Sequence, residues 1–184
     1  TDAVNVFETN NQKIDGGAWH SPVGVAISAL GEGNVTKINL KNNDLVITNT
    51  TSGSGSSITA IDGGKVEIKN AGDIIINEKG QGPTGGIFAN SGGVVEINNA
   101  GGGTVTIRTA AGGKDNLEQY KEYGACIKTL NGVGDVRSKV VITGLVDIVA
   151  DLETCCNEAI SAVASSVDIG GGNIQAINGA WAAI

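Results

Sequence analysis

The sequence predicts an all-β chain that winds into a solenoid of parallel strands. Three observations support this fold: a recurring five-residue phrase, two short apolar triplets after each phrase, and a high glycine content. Internal repeats of this length indicate stacked coils rather than one central core. The phrase occurs at residues 26–30, 57–61, 86–90, 126–130 and 159–163.

Each phrase predicts the first strand of a coil, and the triplets predict the second and third strands. Side chains alternate between the two faces of a strand, so the outer residues of a triplet point inward and the middle residue faces solvent. Ile27 and Ala29 should therefore line the core. The second triplets are residues 38–40, 66–68, 95–97, 140–142 and 167–169, and the third are residues 45–47, 74–76, 105–107, 146–148 and 174–176.

The spacing of these strands predicts where the coils bulge. The distance from the second strand to the third varies little, whereas the distance from the third strand to the next phrase varies most. We therefore expect about five to six coils, stacked at roughly 4.8 Å, with loop excursions at one corner. Trp181 marks the start of the sixth coil.

The repeat divides the chain into two parts. Residues 1–22 contain the alternating fragment Val4–Phe7, with Ile14 and Trp19, and predict an N-terminal cap or partial coil. Residues 23–184 form the solenoid, which we expect to continue in a longer parent protein. Open coils need such caps because they expose sheet edges.

Composition and charge exclude several partners. The chain has 29 Gly but only two Phe and two Tyr, which suits short strands joined by tight turns. Its net charge of −7 argues against nucleic acid, because phosphates require clustered Lys and Arg. No apolar run is long enough to span a membrane, so we expect no membrane span in this segment.

Two carboxylates are the candidates for catalysis. Glu67 and Glu96 occupy middle positions of neighbouring second strands, where paired acids could act as acid and base on a polysaccharide or bind calcium. Lys65 and Lys69 flank Glu67, which favours a solvated charge network instead. The outward first-strand positions hold no carboxylate pair; they are Ser28, Thr59, Phe88, Lys128 and Ser161.

Other catalytic and metal sites are not expected. His20 is the single histidine, so no Ser-His-Asp set can be assembled, and we interpret it as a cap or turn residue. No nucleotide-binding glycine motif leads from a strand into a helix. We therefore predict no catalytic residue, no metal and no cofactor.

Two further sets of residues are predicted to stack along the rod. Asn42, Asn70 and Asn99 follow the second strands and predict a structural ladder of corner amides. Val46 and Ile75 are outward third-strand residues that should lie one above the other. They could mediate side-by-side association, or a loop could cover them.

The longest excursion, residues 108–124, carries the loop candidates for partner contact. Asp115 and Glu118 have the spacing of a capping box, which predicts a short helix that lies on the rod. Both tyrosines of the chain are in this segment, and tyrosine is common in recognition surfaces. Tyr120 could instead pin the loop to the rod. The contact candidates are Tyr120, Lys121 and Tyr123.

With its periodicity, Gly/Asn turns and low aromatic and Cys content, the chain over residues 23–184 resembles the right-handed β-helix of bacterial autotransporter passenger domains and related surface adhesins. These markers are shared with the wider pectate-lyase-like superfamily and with phage tailspikes. The resemblance implies export through the outer membrane, display at the cell surface, and adhesion or self-association as the role. The partners would be host or bacterial surface proteins, glycans or further copies. The alternatives are a carbohydrate-active β-helix fragment and a structural spacer.

Three cysteines predict a disulfide, which an exported location would permit. Cys126 begins the fourth first strand, and Cys155 and Cys156 precede the fifth. Because the fifth coil stacks on the fourth, either residue of the pair could approach Cys126. The third thiol would then stay reduced or pair between molecules.

Overall fold

The computed structural model describes residues 4–8, 12–15, 27–40, 42, 44–49, 56–69, 71–78, 84–99, 101–109, 125–131, 137–151 and 158–177. Within these ranges the chain is built of β-strands and turns, with no helix. Fifteen strands follow one another. They are β1 Val4–Glu8, β2 Gln12–Asp15, β3 Ile27–Leu30, β4 Val35–Asn39, β5 Leu45–Asn49, β6 Ile58–Ile61, β7 Lys65–Lys69, β8 Ile74–Glu78, β9 Thr84–Asn90, β10 Val94–Ile97, β11 Thr104–Thr109, β12 Ala125–Leu130, β13 Lys139–Asp151, β14 Glu158–Val163 and β15 Ser166–Ile177.

The strands stack in parallel, and each pairs with its counterpart in the neighbouring coils. The first strands form a five-stranded sheet in the order β14-β12-β9-β6-β3, which we call the first-strand sheet. The second strands stack in the order β1-β4-β7-β10-β13, and the third in the order β13-β11-β8-β5-β2. The fold is therefore the predicted all-β solenoid.

The coils differ at the corner between the second and third strands. Three coils, β3–β5, β6–β8 and β9–β11, have three separate strands. In the two that follow, a single long strand crosses this corner, β13 in one and β15 in the other. Because β13 pairs with both β10 and β11, it joins the two stacks into one ten-stranded sheet.

The N-terminal strands extend the rod by part of a coil. β1 pairs with β4 in register, with Phe7 beside Ile38, and β2 pairs with β5, with Ile14 beside Ile47. The predicted fragment Val4–Phe7 thus lies within a strand of the second stack. Trp19, His20 and Trp181 lie outside the described residues.

The core follows the predicted alternation. Ile58, Ala60, Val66, Ile68, Ile74 and Ile76 are all completely buried, and they come from the three strands of one coil. In the last described coil the inward residues Val167, Ile169, Ile174 and Ala176 are only partly buried. The core is therefore a continuous column of Ile, Val, Leu and Ala that is densest in the middle coils.

The prediction that middle residues face solvent is wrong for Thr59. It takes the outward position of β6, yet it is only 3% exposed. Its hydroxyl donates a hydrogen bond of 3.4 Å to the carbonyl of Ser56, in the chain just before the strand. Ser56 and Ser57 are also buried, so this part of the outer face is closed to water.

Tight turns at the first corner keep the coils in close contact. Asp62 and Ser91 have positive φ angles of 54° and 50°, and Gly64 and Gly93 each donate a backbone hydrogen bond across their turn. A Cβ at Gly93 would overlap the carbonyl oxygen of Ala60 in the coil below. Glycine is therefore required here by the stacking distance itself.

Candidate functional site

The outward face of the second strands, which we call the charged face, brings the predicted acidic pair together. Glu67 and Glu96 are direct neighbours in the pairing of β7 with β10. Lys65 bridges them, because its Nζ lies 2.9 Å from Glu67 Oε1 and 2.9 Å from Glu96 Oε2. Two stacked carboxylates are thus held by one ammonium group.

Further lysines surround Glu67 on the same face. Lys37 on the coil below lies 3.9 Å from Glu67 Oε2, and Lys69 on the same strand lies 3.7 Å from it. The Glu67 side chain is only 13% exposed, so it is the centre of the network. Farther along the rod, Lys139 Nζ lies 2.7 Å from Asp168 Oδ2.

These contacts determine the charge states of the network. The hydrogen bond from Lys65 lowers the pKa of Glu67, although burial alone would raise it. Burial alone would lower the pKa of Lys65, but the hydrogen bonds to Glu96 and Glu67 and their charges raise it. Glu67 is therefore an ionised carboxylate near neutral pH, which suits ion pairing and does not suit proton donation.

The third strands place Val46 and Ile75 one above the other, as predicted. Both are partly exposed. The same row continues to Thr106 and Asp147, so the apolar stripe ends after two coils. Two partly exposed residues make a small patch for association.

The corner amides do not form one equivalent series. Asn39 pairs with Lys69, and Ile68 pairs with Ile97, so the residue of the first coil at the level of Asn99 is Leu40 and not Asn42. Asn42 is exposed, with a positive φ of 64°. The predicted equivalence is thus wrong because Ile38, and not Leu40, stacks on Ile68, two residues away from the alignment that the triplets imply. Asn70 lies outside the described residues.

Asn99 has a structural role at its corner. It is 1% exposed, and its Nδ2 donates hydrogen bonds to the carbonyls of Gly103 at 2.8 Å and Leu145 at 3.3 Å. Gly144 packs directly against this side chain, where a Cβ would overlap it. No described residue donates a hydrogen bond to Asn99 Oδ1. The amide thus links the separate strands of one coil to the continuous strand of the next.

Of the three cysteines in the disulfide prediction, only Cys126 lies in the described residues. Cys126 is completely buried, and its Sγ lies 3.6 Å from the carbonyl oxygen of Val149. Cys155 and Cys156 lie outside the described residues, so the disulfide stays a prediction. The same holds for the loop candidates Tyr120, Lys121 and Tyr123, and for the predicted helix.

The outward residues of the first-strand sheet form the row that the sequence predicts. Ser28, Thr59 and Phe88 stack in register, and Lys128 pairs with Phe88 on one side and Ser161 on the other. Lys128 is partly buried, and this burial lowers its pKa against the opposing effect of the Glu158 charge. No carboxylate pair stands in this row.

A second outward row on this sheet was missed by sequence reasoning. It runs along the ends of the first strands, and we call it the apolar ladder: Leu30, Ile61, Asn90, Leu130 and Val163. Leu30 is 56% exposed and Val163 is 50% exposed, while the three residues between them are partly exposed. The signal was in the repeat itself, because the last letter of the phrase is apolar in four of its five copies.

The described residues contain no candidate metal site and no candidate membrane helix. No group of three or more His, Cys, Asp or Glu side chains among the described residues could hold a metal ion. In those ranges no helix has the length and apolarity needed to cross a bilayer.

Comparisons with known proteins return no match, whether to a family model, to a curated protein or to a solved structure.

Proposed function

We propose that the chain is a surface-exposed segment of a bacterial β-helical adhesin, in which a stacked rod supports attachment or self-association. One feature supports this role above the others: a row of four aliphatic residues and Asn90 runs along the first-strand sheet, exposed at its two ends and partly exposed between them. Exposed apolar surface of this kind is typical of interaction sites. The resemblance to autotransporter passengers supports an extracellular location at the bacterial surface.

The charge network supports a non-enzymatic role. A glycosidase needs one carboxyl group that stays protonated to act as an acid. Glu67 is ionised and held by lysines, and Glu96 shares one of them. The polysaccharide-active alternative therefore has its carboxylate pair, but in an arrangement that neutralises it.

Attachment is tested by measuring the binding of the fragment to glycans, matrix proteins and intact bacterial and host cells. We expect saturable binding that the double variant Tyr120→Ala/Tyr123→Ala weakens if the loops carry contact. Lys69→Ala, a change at an exposed residue of the charged face, is the control and should bind normally.

Two results would redirect the proposal. Absence of binding by every variant favours a spacer whose recognition domain lies elsewhere. Release of oligosaccharide from a polysaccharide panel, abolished by Glu67→Gln and Glu96→Gln, favours the carbohydrate-active alternative.

A further inference from the structure

The apolar ladder has a symmetric pattern: aliphatic and polar positions come in the same order when the row is read from either end. Two aliphatic residues, Leu30 and Ile61, are followed by Asn90, and two more aliphatic residues, Leu130 and Val163, complete the row. Leu30, Ile61 and Asn90 are direct neighbours in register, as are Leu130 and Val163. The pairing of Ala89 with Thr129 sets Leu130 beside Asn90.

The direction of these side chains follows from the strand alternation. Ala29, Ala60, Ala89 and Thr129 precede the ladder residues and are 4% exposed or less, so they point into the core. Leu30, Ile61, Asn90 and Leu130 therefore point away from the core. Ala162 is exposed at the end of the stack, and Val163 is assigned to the same row because it pairs with Leu130. Consecutive rungs lie roughly 4.8 Å apart, so the ladder is about 19 Å long from Leu30 to Val163.

The adjacent outward row matches this symmetry only at its ends and at its centre. Ser28 and Ser161 stand at its two ends, and Phe88 stands at its centre. Thr59 and Lys128 lie between them and differ in type. Because Thr59 is buried, only the ends and the centre of this row can add to a symmetric contact surface.

We propose that the apolar ladder is a self-docking surface, on which a second copy of this chain packs antiparallel about a two-fold axis that runs along β9. This inference deepens the self-association part of the proposed function. Rotation about that axis reverses the order of the coils and keeps the position along each strand. Leu30 then faces Val163 of the second copy, and Ile61 faces Leu130 of the second copy.

The central Asn90 gives this arrangement its register. On the two-fold axis it faces its own counterpart, and two carboxamides can donate to and accept from each other. A single polar pair within an apolar contact penalises shifted alignments, as a buried Asn does in coiled coils. The contact is isologous, so it closes as a dimer and does not continue into a filament.

The size of the ladder sets the expected strength. A strip about 19 Å long and one or two residues wide buries far less than the roughly 1,200 Å² of a stable interface. The dimer should therefore be weak and dependent on protein concentration. Between two opposed surfaces that each display many copies, many such pairs would act together, which suits weak pairing between rods.

Sedimentation equilibrium of the whole chain over a wide concentration range tests the proposal. The unmodified protein should show a monomer–dimer equilibrium. Ile61→Glu and Leu130→Lys should each raise the dissociation constant by about tenfold or more, because each places a charge against an aliphatic residue of the second copy. An equimolar mixture of the two variants should dimerise again, since the new carboxylate then faces the new ammonium.

The rescue by mixing is specific to this alignment. If the rods paired in parallel, position 61 would face position 61, and the mixture would stay as weak as each variant. Leu30→Glu with Val163→Lys provides a second pair at the more exposed ends of the ladder, where folding tolerates charge best. Circular dichroism of each variant confirms that it is folded.

Val149→Glu is the matched control, because it places the same carboxylate at a partly exposed aliphatic residue of β13, in the other sheet and outside both apolar surfaces. It should leave the dissociation constant unchanged. A monomer at every concentration, a dimer that is insensitive to the ladder variants, or failure of both mixtures to dimerise would overturn the proposal. Since no receptor takes part, each of these results leaves attachment to other partners untouched.

Discussion

Lys65 and Lys128 lie on the outer faces of two neighbouring stacks, and their surroundings shift their pKa values in opposite directions. Lys65 contacts two carboxylates, whose hydrogen bonds raise its pKa against the effect of burial. Lys128 stands between Phe88 and Ser161, where burial lowers its pKa against the charge of Glu158. Similar backbone pairing thus supports one face organised by charge and another organised by apolar contact.

The contrast between the two lysines shows that the residue types on the outer faces can vary independently of those in the core. Inward positions are restricted to Ile, Val, Leu, Ala and a few polar residues, because the coils must stack closely. Outward positions have no such restriction. A solenoid can therefore carry a charge network and an apolar ladder on adjacent sides without changing its core.

The largest effect should come from comparing an inward residue with its outward neighbour. Ile76 is completely buried, and Ile75 beside it is partly exposed. We expect Ile76→Ala to lower the free energy of unfolding by about 2–5 kcal/mol through the lost burial and the cavity. Ile75→Ala should cost under about 1 kcal/mol. Urea denaturation measures both, and equal losses would contradict the inward/outward assignment.

The next effect concerns the corner that connects the two faces. Gly93→Ala places a methyl group against the Ala60 carbonyl, so we expect a loss of about 2 kcal/mol or more in the free energy of unfolding. Gly101→Ala is the control, because there a Cβ makes only ordinary contact with Asn42 Oδ1. Its cost should stay within about 0.5 kcal/mol. A Gly93→Ala protein of unchanged stability would show that the coils can separate at this corner.

On the charged face, Lys65→Met should cost about 1 kcal/mol, because it leaves Glu67 and Glu96 stacked without their bridge. Lys69→Met should cost less, since Lys69 is 63% exposed and lies 3.7 Å from Glu67. Thermal melts of the two variants at low salt compare them directly. The difference should shrink at high salt, and a difference that ignores salt would argue against ion pairing.

The pH dependence of this loss follows from the direction of the two shifts. The lowered pKa of Glu67 gives stability that is present above its ordinary value of 4.5 and lost as the pH falls through the folded value below it. The raised pKa of Lys65 gives stability that is present below 10.5 and lost as the pH rises through the folded value above it. The advantage over Lys65→Met should therefore be greatest between these limits.

The smallest effect should come from the other lysine. Because burial disfavours the charged form of Lys128, Lys128→Met should raise the free energy of unfolding at neutral pH, by no more than about 0.5 kcal/mol after solvent screening. The gain should decline as the pH rises through the lowered folded pKa and disappear well above 10.5, where both the folded and the unfolded chain carry a neutral amine. Denaturation at pH 7 and at a pH well above 10.5 distinguishes this outcome from a loss, which would indicate a stabilising ion pair.

The solenoid itself was predictable because the alternation of inward and outward side chains produces the same apolar pattern in every repeat of the sequence. The outer letters of each triplet, such as Val66 and Ile68, are apolar for the same reason that they are buried. The stacking of Glu67 on Glu96 and of Val46 on Ile75 followed from counting positions within repeats. Thr59 broke the pattern because its burial arises from neighbouring chain outside the strand.

The equivalence of Asn42 and Asn99 failed for a related reason. Corner residues have no fixed count, so matching letters at a corner need not share a level in the stack. The register of the strands on either side settles the level, and it places Asn99 against Gly144. The Asn99 amide fills the space left by the missing side chain of Gly144, and this contact between two coils is visible only in the tertiary structure.

The sequence by itself determined the number of strands in a typical coil, the inward set, and the stacking of strand residues such as Glu67 on Glu96. These properties depend on a period of two and on repetition, and both are local. The tertiary structure decided which stacked residues interact. Lys65 bridges two coils because strand pairing places Glu96 directly beside Glu67. β13 joins two stacks because it runs unbroken through the corner and pairs with both β10 and β11.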